Sequence, residues 1–137
     1  MKIEIIEEPE QALVELLNNK IVNFNLENRE FNQRKSLAVT VKDEKGVVLA
    51  GACGVIFGNW LQVNILWVNQ ELRGKDYGSK LLKEIEQKAK NQGCKECLLD
   101  TLDFQAMPFY KKHGYKIAWT QKNYPLTGCK YFMTKTL

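Results

Sequence analysis

Residues 66–93 constrain the fold of this chain more than any other stretch, because an apolar strand passes there into a charged helix through one short glycine loop. The loop reads Arg73-Gly74-Lys75-Asp76-Tyr77-Gly78, with Ser79 and Lys80 directly after it. A helix N-terminus exposes unpaired backbone N–H groups and the positive end of the helix dipole. Glycines beside it let phosphate oxygens approach the backbone closely. The loop therefore indicates an anion site, with an ordinary strand-to-helix turn and solvated cations as the alternative.

Two familiar phosphate loops do not fit this stretch. A P-loop requires G-x-x-x-x-G-K-[ST], and the chain has Ser79 and Lys80 in the reverse order after Gly78. A dinucleotide fingerprint requires G-x-G-x-x-G after the strand of a β-α-β unit, and the chain does not contain it. The anion is therefore predicted to be held by a different kind of loop.

The composition indicates a soluble globular protein with one domain, residues 1–137. Lysine and arginine number 20 against 16 aspartates and glutamates, which gives a net charge of +4. So small an excess suits an anionic cofactor and does not indicate nucleic acid, whose binding needs clustered charge. The first ten residues lack the apolar core of a signal peptide, and the longest apolar run, residues 47–57, is too short to cross a bilayer. We expect a cytoplasmic protein without a membrane partner.

The four cysteines indicate packing and reduced thiols. Cys94 and Cys97 have C-x-x-C spacing, but Cys53 and Cys129 form no second pair, and His113 is the only histidine. Zinc and redox sites require a partner motif or a redox fold. We therefore predict no metal, and we interpret the C-x-x-C pair as two small apolar residues that enter a strand.

Hydrophobic periodicity predicts a mixed sheet flanked by helices. The predicted strands are residues 2–7, 37–41, 47–57, 61–68, 97–101, 115–119 and 131–136. The predicted helices are one opened by Pro9, a short one over residues 21–29, one from Gly78 to the stop at residues 91–93, and a short one over residues 104–112. Antiparallel strands come first and two β-α units follow, so we expect both kinds of pairing in one sheet.

The strand over residues 61–68 alternates strictly between two sets of side chains. One set is wholly apolar and consists of Leu61, Val63, Ile65 and Trp67. This alternation predicts that the apolar set faces the interior and that Trp67 lies in the core.

The glycine loop resembles the acyl-CoA pyrophosphate loop of the GNAT N-acetyltransferase superfamily, [QR]-x-x-G-x-[GA]. Arg73 stands at its first position and Gly78 at its last, while Asp76 replaces the middle glycine. Aspartate adopts unusual backbone angles more readily than most residues, and its N–H can still point at a phosphate. Its carboxylate must then turn outward to avoid repelling the pyrophosphate.

Residues 104–117 resemble a later motif of the same family, a helix with the pattern A-x-x-x-Y-x-x-x-G-[FY]. The matching residues are Ala106, Tyr110, Gly114 and Tyr115. The family asparagine three positions before the alanine is Asp103 here, with Gln105 as a substitute. An ordinary packed tyrosine is the alternative for Tyr110 taken alone. With both motifs in order, the resemblance covers essentially the whole chain.

The resemblance implies the GNAT fold class, an α/β (α+β) protein with a mixed, mostly antiparallel central sheet. The sheet would contain about six to seven strands flanked by about four helices. Its fourth and fifth strands, here residues 61–68 and 97–101, would splay apart to admit the cofactor.

The resemblance also implies a reaction, the transfer of an acetyl group from acetyl-CoA to a primary amine by direct attack in a ternary complex. The pantetheine arm would pair with the backbone of residues 66–68, and an N–H near Val68 would polarise the thioester carbonyl. Tyr110 would serve as general acid for the thiolate, mainly by hydrogen bonding, because a phenol of pKa about 10 is a weak donor to a thiol of about 8.5. The implied cofactor-binding residues are Leu66, Trp67, Val68, Arg73, Gly74, Lys75, Asp76, Tyr77, Gly78, Ser79, Asp103, Gln105, Ala106, Phe109, Tyr110 and Lys112.

The sequence leaves the general base and the acceptor open. Many relatives carry a glutamate partway along the fourth strand, where this chain has Gln62 and Asn64. These amides cannot take up a proton, but they are able to hold a relaying water on the acceptor side. The acidic N-terminal stretch suits a cationic amine. A peptide N-terminus, a lysine side chain, a polyamine and an aminoglycoside stay as alternatives, and homodimer formation is left open.

Two other classes of function compete with this interpretation. A catalytically silent relative that binds CoA as a sensor or scaffold is suggested by Asp76 and by the missing strand carboxylate, whereas Tyr110 argues against it. A nucleic-acid-binding domain would use the basic loop, but aromatic residues do not alternate with cations there. We therefore expect an amine acceptor, small molecule or peptide, and no nucleic-acid partner.

Overall fold

The computed structural model describes residues 1–137 and contains three α-helices and six β-strands. In chain order they are α1 (Gln11–Asn28), β1 (Arg34–Lys42), β2 (Val48–Phe57), β3 (Trp60–Val68), α2 (Tyr77–Asn91), β4 (Glu96–Leu102), α3 (Met107–Lys112), β5 (Lys116–Lys122) and β6 (Cys129–Thr136). Residues 1–32 form one compact unit and residues 33–137 a second, so the single domain stays a prediction. None of the helices is both long and apolar enough to cross a bilayer.

The first unit contains only the helix α1, and two predictions for it are wrong. Residues 2–7 form no strand, because they have no partner strand and an unpaired strand has no ladder of hydrogen bonds. The second helix over residues 21–29 is part of α1 itself. Asn18 and Asn19 lower helix propensity by only about 0.5 kcal/mol each and do not end the helix. Its C-terminus lies where the N–H of Arg29 donates to the carbonyl of Asn25 at 2.8 Å.

One six-stranded sheet organises the second unit, in the order β1-β2-β3-β4-β6-β5. Every neighbouring pair is antiparallel except β3 and β4, which are parallel. Parallel neighbours need a crossover connection, and α2 supplies it. The predicted mixed, mostly antiparallel α/β fold is confirmed, with six strands and with three α-helices where about four were expected.

A β-bulge at Asn64 decides which side chains of β3 are buried. The register between β2 and β3 shifts between Cys53 and Gly54, so Asn64 is an extra residue without a partner. Beyond the bulge the alternation is inverted, and Leu66 packs against the core while Trp67 is 47% exposed. The prediction that Trp67 lies in the core is wrong, because one inserted residue turns the following side chains to the other face.

The strands β3 and β4 separate where the bulge begins. They pair only through residues 60–62 of β3 and residues 96–98 of β4. From residue 63 onwards the backbone of β3 has no β4 partner, which leaves a gap in the middle of the sheet. The predicted splay of these two strands is confirmed. Such a gap can receive an extended ligand that pairs with the strand backbone.

The helix α2 fixes the glycine loop by packing on strands β1, β2 and β3. Its apolar residues recur at helical spacing and are at most 2% exposed: Leu81, Leu82, Ile85 and Ala89. They belong to one cluster with Leu61 of β3 and Leu99 of β4. Each fully buried leucine stabilises the fold by about 2 kcal/mol. The start of α2, and the loop that leads into it, are therefore held by the core.

A buried polar network joins α2 to β4 and β6. Glu86 accepts a hydrogen bond from the Tyr115 hydroxyl at 2.6 Å. It also forms an ion pair with Lys135 Nζ at 2.7 Å. The same hydroxyl lies 3.2 Å from Cys97 Sγ. Burial raises the pKa of the Cys97 thiol to about 12, so this thiol stays protonated and unreactive. Cys97 and Cys94 are both buried and free, which confirms that the C-x-x-C pair packs.

Candidate active site

The glycine loop lies between the end of β3 and the start of α2, and contacts at its first half fix its shape. Asn69 Oδ1 accepts a hydrogen bond from the N–H of Glu71 at 3.3 Å, which begins a 3-10 turn over Gln70–Leu72. The side chain of Arg73 folds back, and its Nε donates to the carbonyl of Val68 at 3.2 Å. The guanidinium is therefore held beside the last residue of β3.

Asp76 has a left-handed backbone directly before α2, with φ of 69° and ψ of 14°. This conformation costs a non-glycine residue about 1 kcal/mol, which explains why glycine suits the position. The Asp76 side chain makes no capping hydrogen bond to α2. The N–H groups of the first helical turn are therefore left for an acceptor from outside the helix.

Replacing Asp76 with glycine should strengthen both folding and acetyl-CoA binding. Glycine adopts the left-handed conformation without strain, so we expect the free energy of unfolding to rise by up to about 1 kcal/mol. If this helix N-terminus binds the pyrophosphate as predicted, loss of a negative charge there should lower the Kd two- to fivefold, or about 0.5–1 kcal/mol. Urea unfolding and isothermal calorimetry measure the two quantities.

Asp76→Asn is the matched variant, because asparagine loses the charge and still tolerates the left-handed region. It should share the gain in affinity and lack most of the gain in stability. An unchanged Kd in both variants would show that the Asp76 carboxylate lies away from the bound phosphates.

A first cavity, which we name the loop cavity, has a volume of about 380 Å³. Its lining residues are Val68, Leu72, Arg73, Gly74, Asp76, Tyr77, Gly78, Ser79, Phe109 and Lys112. The end of β3, the glycine loop and α3 thus meet around one space. All of these residues except Leu72 are predicted cofactor-binding residues, and their contact with a cofactor stays a prediction.

A second cavity, which we name the Tyr110 cavity, occupies the gap between β3 and β4 and also measures about 380 Å³. Its lining residues are Val63, Asn64, Ile65, Leu66, Leu99, Asp100, Thr101, Leu102, Gln105, Ala106, Tyr110, Tyr124 and Lys130. The bulge residue Asn64 of β3 and the helix α3 therefore line the same space.

Tyr110 is 8% exposed, and its ring is fixed by aromatic neighbours. Phe109 and Tyr115 pack edge to face against it, at centroid distances of 5.3 and 5.7 Å. Burial raises the pKa of the Tyr110 hydroxyl, and the negative charge of Asp100 raises it further. The hydroxyl therefore stays protonated at neutral pH and can donate a hydrogen bond into the cavity.

The segment before α3 is held to the end of β4 by two hydrogen bonds. Thr101 Oγ1 accepts from the N–H of Ala106 at 3.2 Å, and Gln105 Oε1 accepts from the N–H of Leu102 at 2.7 Å. Pro108 in the first turn of α3 suits a helix start, where its missing N–H leaves no bond unmade. The end of β4 and the start of α3 therefore form one rigid corner.

The family of the chain follows from comparison with known proteins. The sequence pattern of the Acetyltransferase (GNAT) family matches residues 4–115. The chain belongs to the GNAT acetyltransferase family. The prediction that it is an N-acetyltransferase is thereby confirmed, and named relatives agree with it.

Three relatives of this GNAT acetyltransferase show how far the similarity extends. Blasticidin-S acetyltransferase of Streptomyces morookaense is 35% identical over 95 residues, which cover 69% of this chain and 70% of that protein. A crystal structure of an acetyltransferase from Bacillus cereus is 34% identical, with a TM-score of 0.86 and 98% of both chains covered. The crystal structure of an aminoglycoside 6′-N-acetyltransferase complexed with coenzyme A shares the fold alone, at 18% identity, a TM-score of 0.64 and coverage of 99% and 97%.

In this GNAT acetyltransferase a hydrogen bond of 2.8 Å joins Ser79 Oγ in α2 to His113 Nε2 at the end of α3. The bond connects the glycine loop to the helix that carries Tyr110. The His113 ring also stacks on Phe109 at a centroid distance of 4.6 Å. Burial, followed by the charge of Lys83, lowers the pKa of His113. The folded protein therefore favours the neutral form of the ring.

The lowered pKa of His113 predicts a loss of stability on acidification. Below the ordinary histidine pKa of 6.5 the unfolded chain takes up the proton before the folded chain does. The contribution of neutral His113 to the free energy of unfolding is fully present above that pH. It is lost as the pH falls through the pKa of His113 in the folded protein. Because the chain has one histidine, the melting temperature of His113→Gln should fall less than that of the wild type between pH 7.5 and 5. Parallel curves for the two proteins would contradict the assignment.

Four predicted site residues of this acetyltransferase lie outside both cavities: Gln62, Trp67, Lys75 and Asp103. The bulge accounts for Trp67, which it turns to the exposed face. Gln62 lies in the paired part of β3, before the gap opens, so Asn64 alone of the predicted amides reaches the Tyr110 cavity. Their roles toward cofactor or acceptor stay predictions.

Sequence reasoning missed four polar residues of the Tyr110 cavity: Asp100, Thr101, Tyr124 and Lys130. A polar pair near the end of an apolar strand, as Asp100 and Thr101 are in β4, is a signal that could have indicated the first two. Tyr124 and Lys130 come from the β5–β6 connection and the start of β6, and no local pattern marks them.

Proposed function

We propose that the chain transfers the acetyl group of acetyl-CoA to a primary amine by direct attack in a ternary complex. The observation that carries this proposal is that the two cavities share one strand and one helix. Leu66 of β3 lines the Tyr110 cavity and Val68 lines the loop cavity. On α3, Tyr110 lines the first and Phe109 the second. A ligand with a diphosphate at one end and a thioester at the other fits this arrangement.

The diphosphate would bind at the glycine loop. The uncapped N–H groups at the start of α2 and the positive end of the helix dipole favour an anion there. Arg73 and Lys112 add two cationic side chains to the lining of the same cavity. A planar guanidinium can form paired hydrogen bonds with phosphate oxygens, which makes Arg73 the stronger of the two contacts.

The pantetheine arm would lie along β3 in the gap of the sheet. From residue 63 the strand offers backbone N–H and C=O groups that β4 does not use. An extended amide-containing arm can pair with them as an added strand would. One N–H of the stretch between Leu66 and Val68 would then polarise the thioester carbonyl and stabilise the oxyanion. Tyr110 would meet the sulfur from the other side of the gap.

The acceptor proposed for this chain is a small primary amine. The blasticidin-S acetyltransferase is similar in sequence, so blasticidin S is the first compound to test. Polyamines, aminoglycosides, lysine and peptide N-termini complete the panel. Asn64 is placed to hold a water at the acceptor side, since it lines the Tyr110 cavity and is exposed.

Binding and turnover test the proposal separately. Acetyl-CoA at 100 times its Kd should add about 2.7 kcal/mol to the free energy of unfolding, and acetyl-pantetheine, which lacks the diphosphate, should add much less. Release of free thiol with each amine of the panel measures the transfer. A melting temperature that millimolar acetyl-CoA leaves unchanged would contradict the cofactor assignment.

A further inference from the structure

The Tyr110 cavity contains a carboxylate that neither the family motifs nor the sequence analysis assigns. Asp100 of β4 is the only acidic residue among those that line the cavity. It lies between the buried residues Leu99 and Thr101 and is itself exposed. Its side chain therefore stands on the solvent side of the strand, while Tyr110, which lines the same cavity from α3, is buried.

The cationic side chain of the same cavity is already engaged. Lys130 Nζ lies 3.4 Å from the hydroxyl of Tyr124 and 4.4 Å above the centre of its ring. Asp100 forms no ion pair within 4 Å, with Lys130 or with any other residue. Its carboxylate is thus available to a cationic ligand that enters from the open side of the gap.

We propose that Asp100 is the general base of the transfer, which binds the acceptor amine at the mouth of the Tyr110 cavity and takes up its proton. The proposal rests on the proposed function above. Asn64 cannot take a proton, and Asp100 is the one side chain of the cavity that is able to do so as a carboxylate. The acceptor class that follows is a primary amine that arrives as an ammonium ion, attracted by the carboxylate.

The protons and electron pairs of the step balance. The bound ammonium first loses one proton to water, and the nitrogen lone pair then forms a bond to the thioester carbonyl carbon. The nitrogen of the tetrahedral intermediate is positively charged and gives its second proton to Asp100. The C–S bond breaks, its electron pair leaves with the sulfur, and Tyr110 supplies a proton to the thiolate. Asp100 and Tyr110 return to their starting forms by exchange of one proton with water.

Position supports these two roles. Asp100 is exposed, Tyr110 is buried, and both line the same cavity, so a proton acceptor for the amine and a proton donor for the sulfur are available at one site. The two groups are close enough for the charge of Asp100 to act on the Tyr110 hydroxyl. Breakdown of a tetrahedral intermediate to the amide and the thiol requires one group that accepts the proton of the nitrogen and one that donates to the sulfur.

Asp100→Asn tests the proposal, with Glu96→Gln as the matched control. Glu96 lies four residues earlier on β4, outside both cavities, and its loss removes the same charge from the same strand. We expect Asp100→Asn to lower kcat about 100-fold with the best amine of the panel. The KM for acetyl-CoA and the melting temperature should stay within experimental error. Glu96→Gln should behave as the wild type.

The outcomes separate this inference from the proposed function. An Asp100→Asn variant with wild-type kcat overturns the role of Asp100 and leaves the acetyl-transfer proposal unaffected. An Asp100→Asn variant with a raised KM for the amine and an unchanged kcat also overturns the role of Asp100 as a base. It would show that the carboxylate only attracts the ammonium ion. A wild-type protein that acetylates no amine of the panel overturns the transfer reaction and the role of Asp100 together.

Discussion

Replacing Tyr110 with phenylalanine should lower kcat about 100-fold and change the affinity for acetyl-CoA less than twofold. The loss of one group that donates to a leaving atom in the transition state has an effect of at least this size. Tyr110 lines the cavity and its ring is held by Phe109 and Tyr115, so the variant keeps the packing and loses only the donor. Steady-state kinetics with saturating amine and calorimetry with acetyl-CoA measure the two effects.

Tyr131→Phe is the control for this experiment, because Tyr131 lies in β6 and lines neither cavity. It should keep the wild-type kcat. Because burial raises the pKa of Tyr110, the basic limb of the wild-type pH profile should lie above the ordinary tyrosine value of 10 if this hydroxyl sets it. Wild-type kcat in Tyr110→Phe would remove Tyr110 from the reaction.

Gly54→Ala should lower the free energy of unfolding by about 3 kcal/mol and the melting temperature by roughly 10 °C. A Cβ at Gly54 would lie 2.4 Å from the carbonyl oxygen of Gln62, a backbone atom that cannot move without shifting β3. Gly54 faces the bulge in the register of β2 and β3, so any shift reaches the strand that borders the gap. We expect acetyl-CoA affinity to fall with the stability, as urea unfolding and calorimetry would show.

Gly51→Ala, three residues earlier on β2, is the matched control. Its Cβ would lie 3.3 Å from the carbonyl oxygen of Val39, which requires a displacement of only a few tenths of an ångström. This variant should lose less than half as much stability and bind acetyl-CoA normally. Equal losses at the two positions would show that the close approach at the bulge has no special importance.

The order of elements from β1 to β6 could be predicted from the sequence, because each element has its own periodicity and the glycine loop marks one boundary. The amphipathic stripe of α2, for instance, is visible as Leu81, Leu82, Ile85 and Ala89 and is buried as expected. The strand predicted over residues 2–7 is absent, and the prediction failed because alternation of apolar and polar residues does not reveal whether a partner strand exists.

The candidate site was harder to predict where it depends on backbone irregularity or on distant elements. The bulge at Asn64 has no local signature, so the alternation of β3 placed Trp67 in the core when it is exposed. The glycine loop is local, and its residues meet around one cavity as their spacing suggested. Lys130 reaches the Tyr110 cavity only through the pairing of β4 with β6, which single-sequence patterns do not contain.

The gap between β3 and β4 gives the protein two strand borders that face each other and hold no partner. Unsatisfied borders of this kind recruit other chains and promote precipitation. Coenzyme A would cover one of them, so concentrated preparations should keep longer when it is added, and amide hydrogens of residues 63–68 should then exchange with deuterium more slowly. Bound coenzyme A would in that case complete the hydrogen bonding of the sheet as well as take part in the reaction.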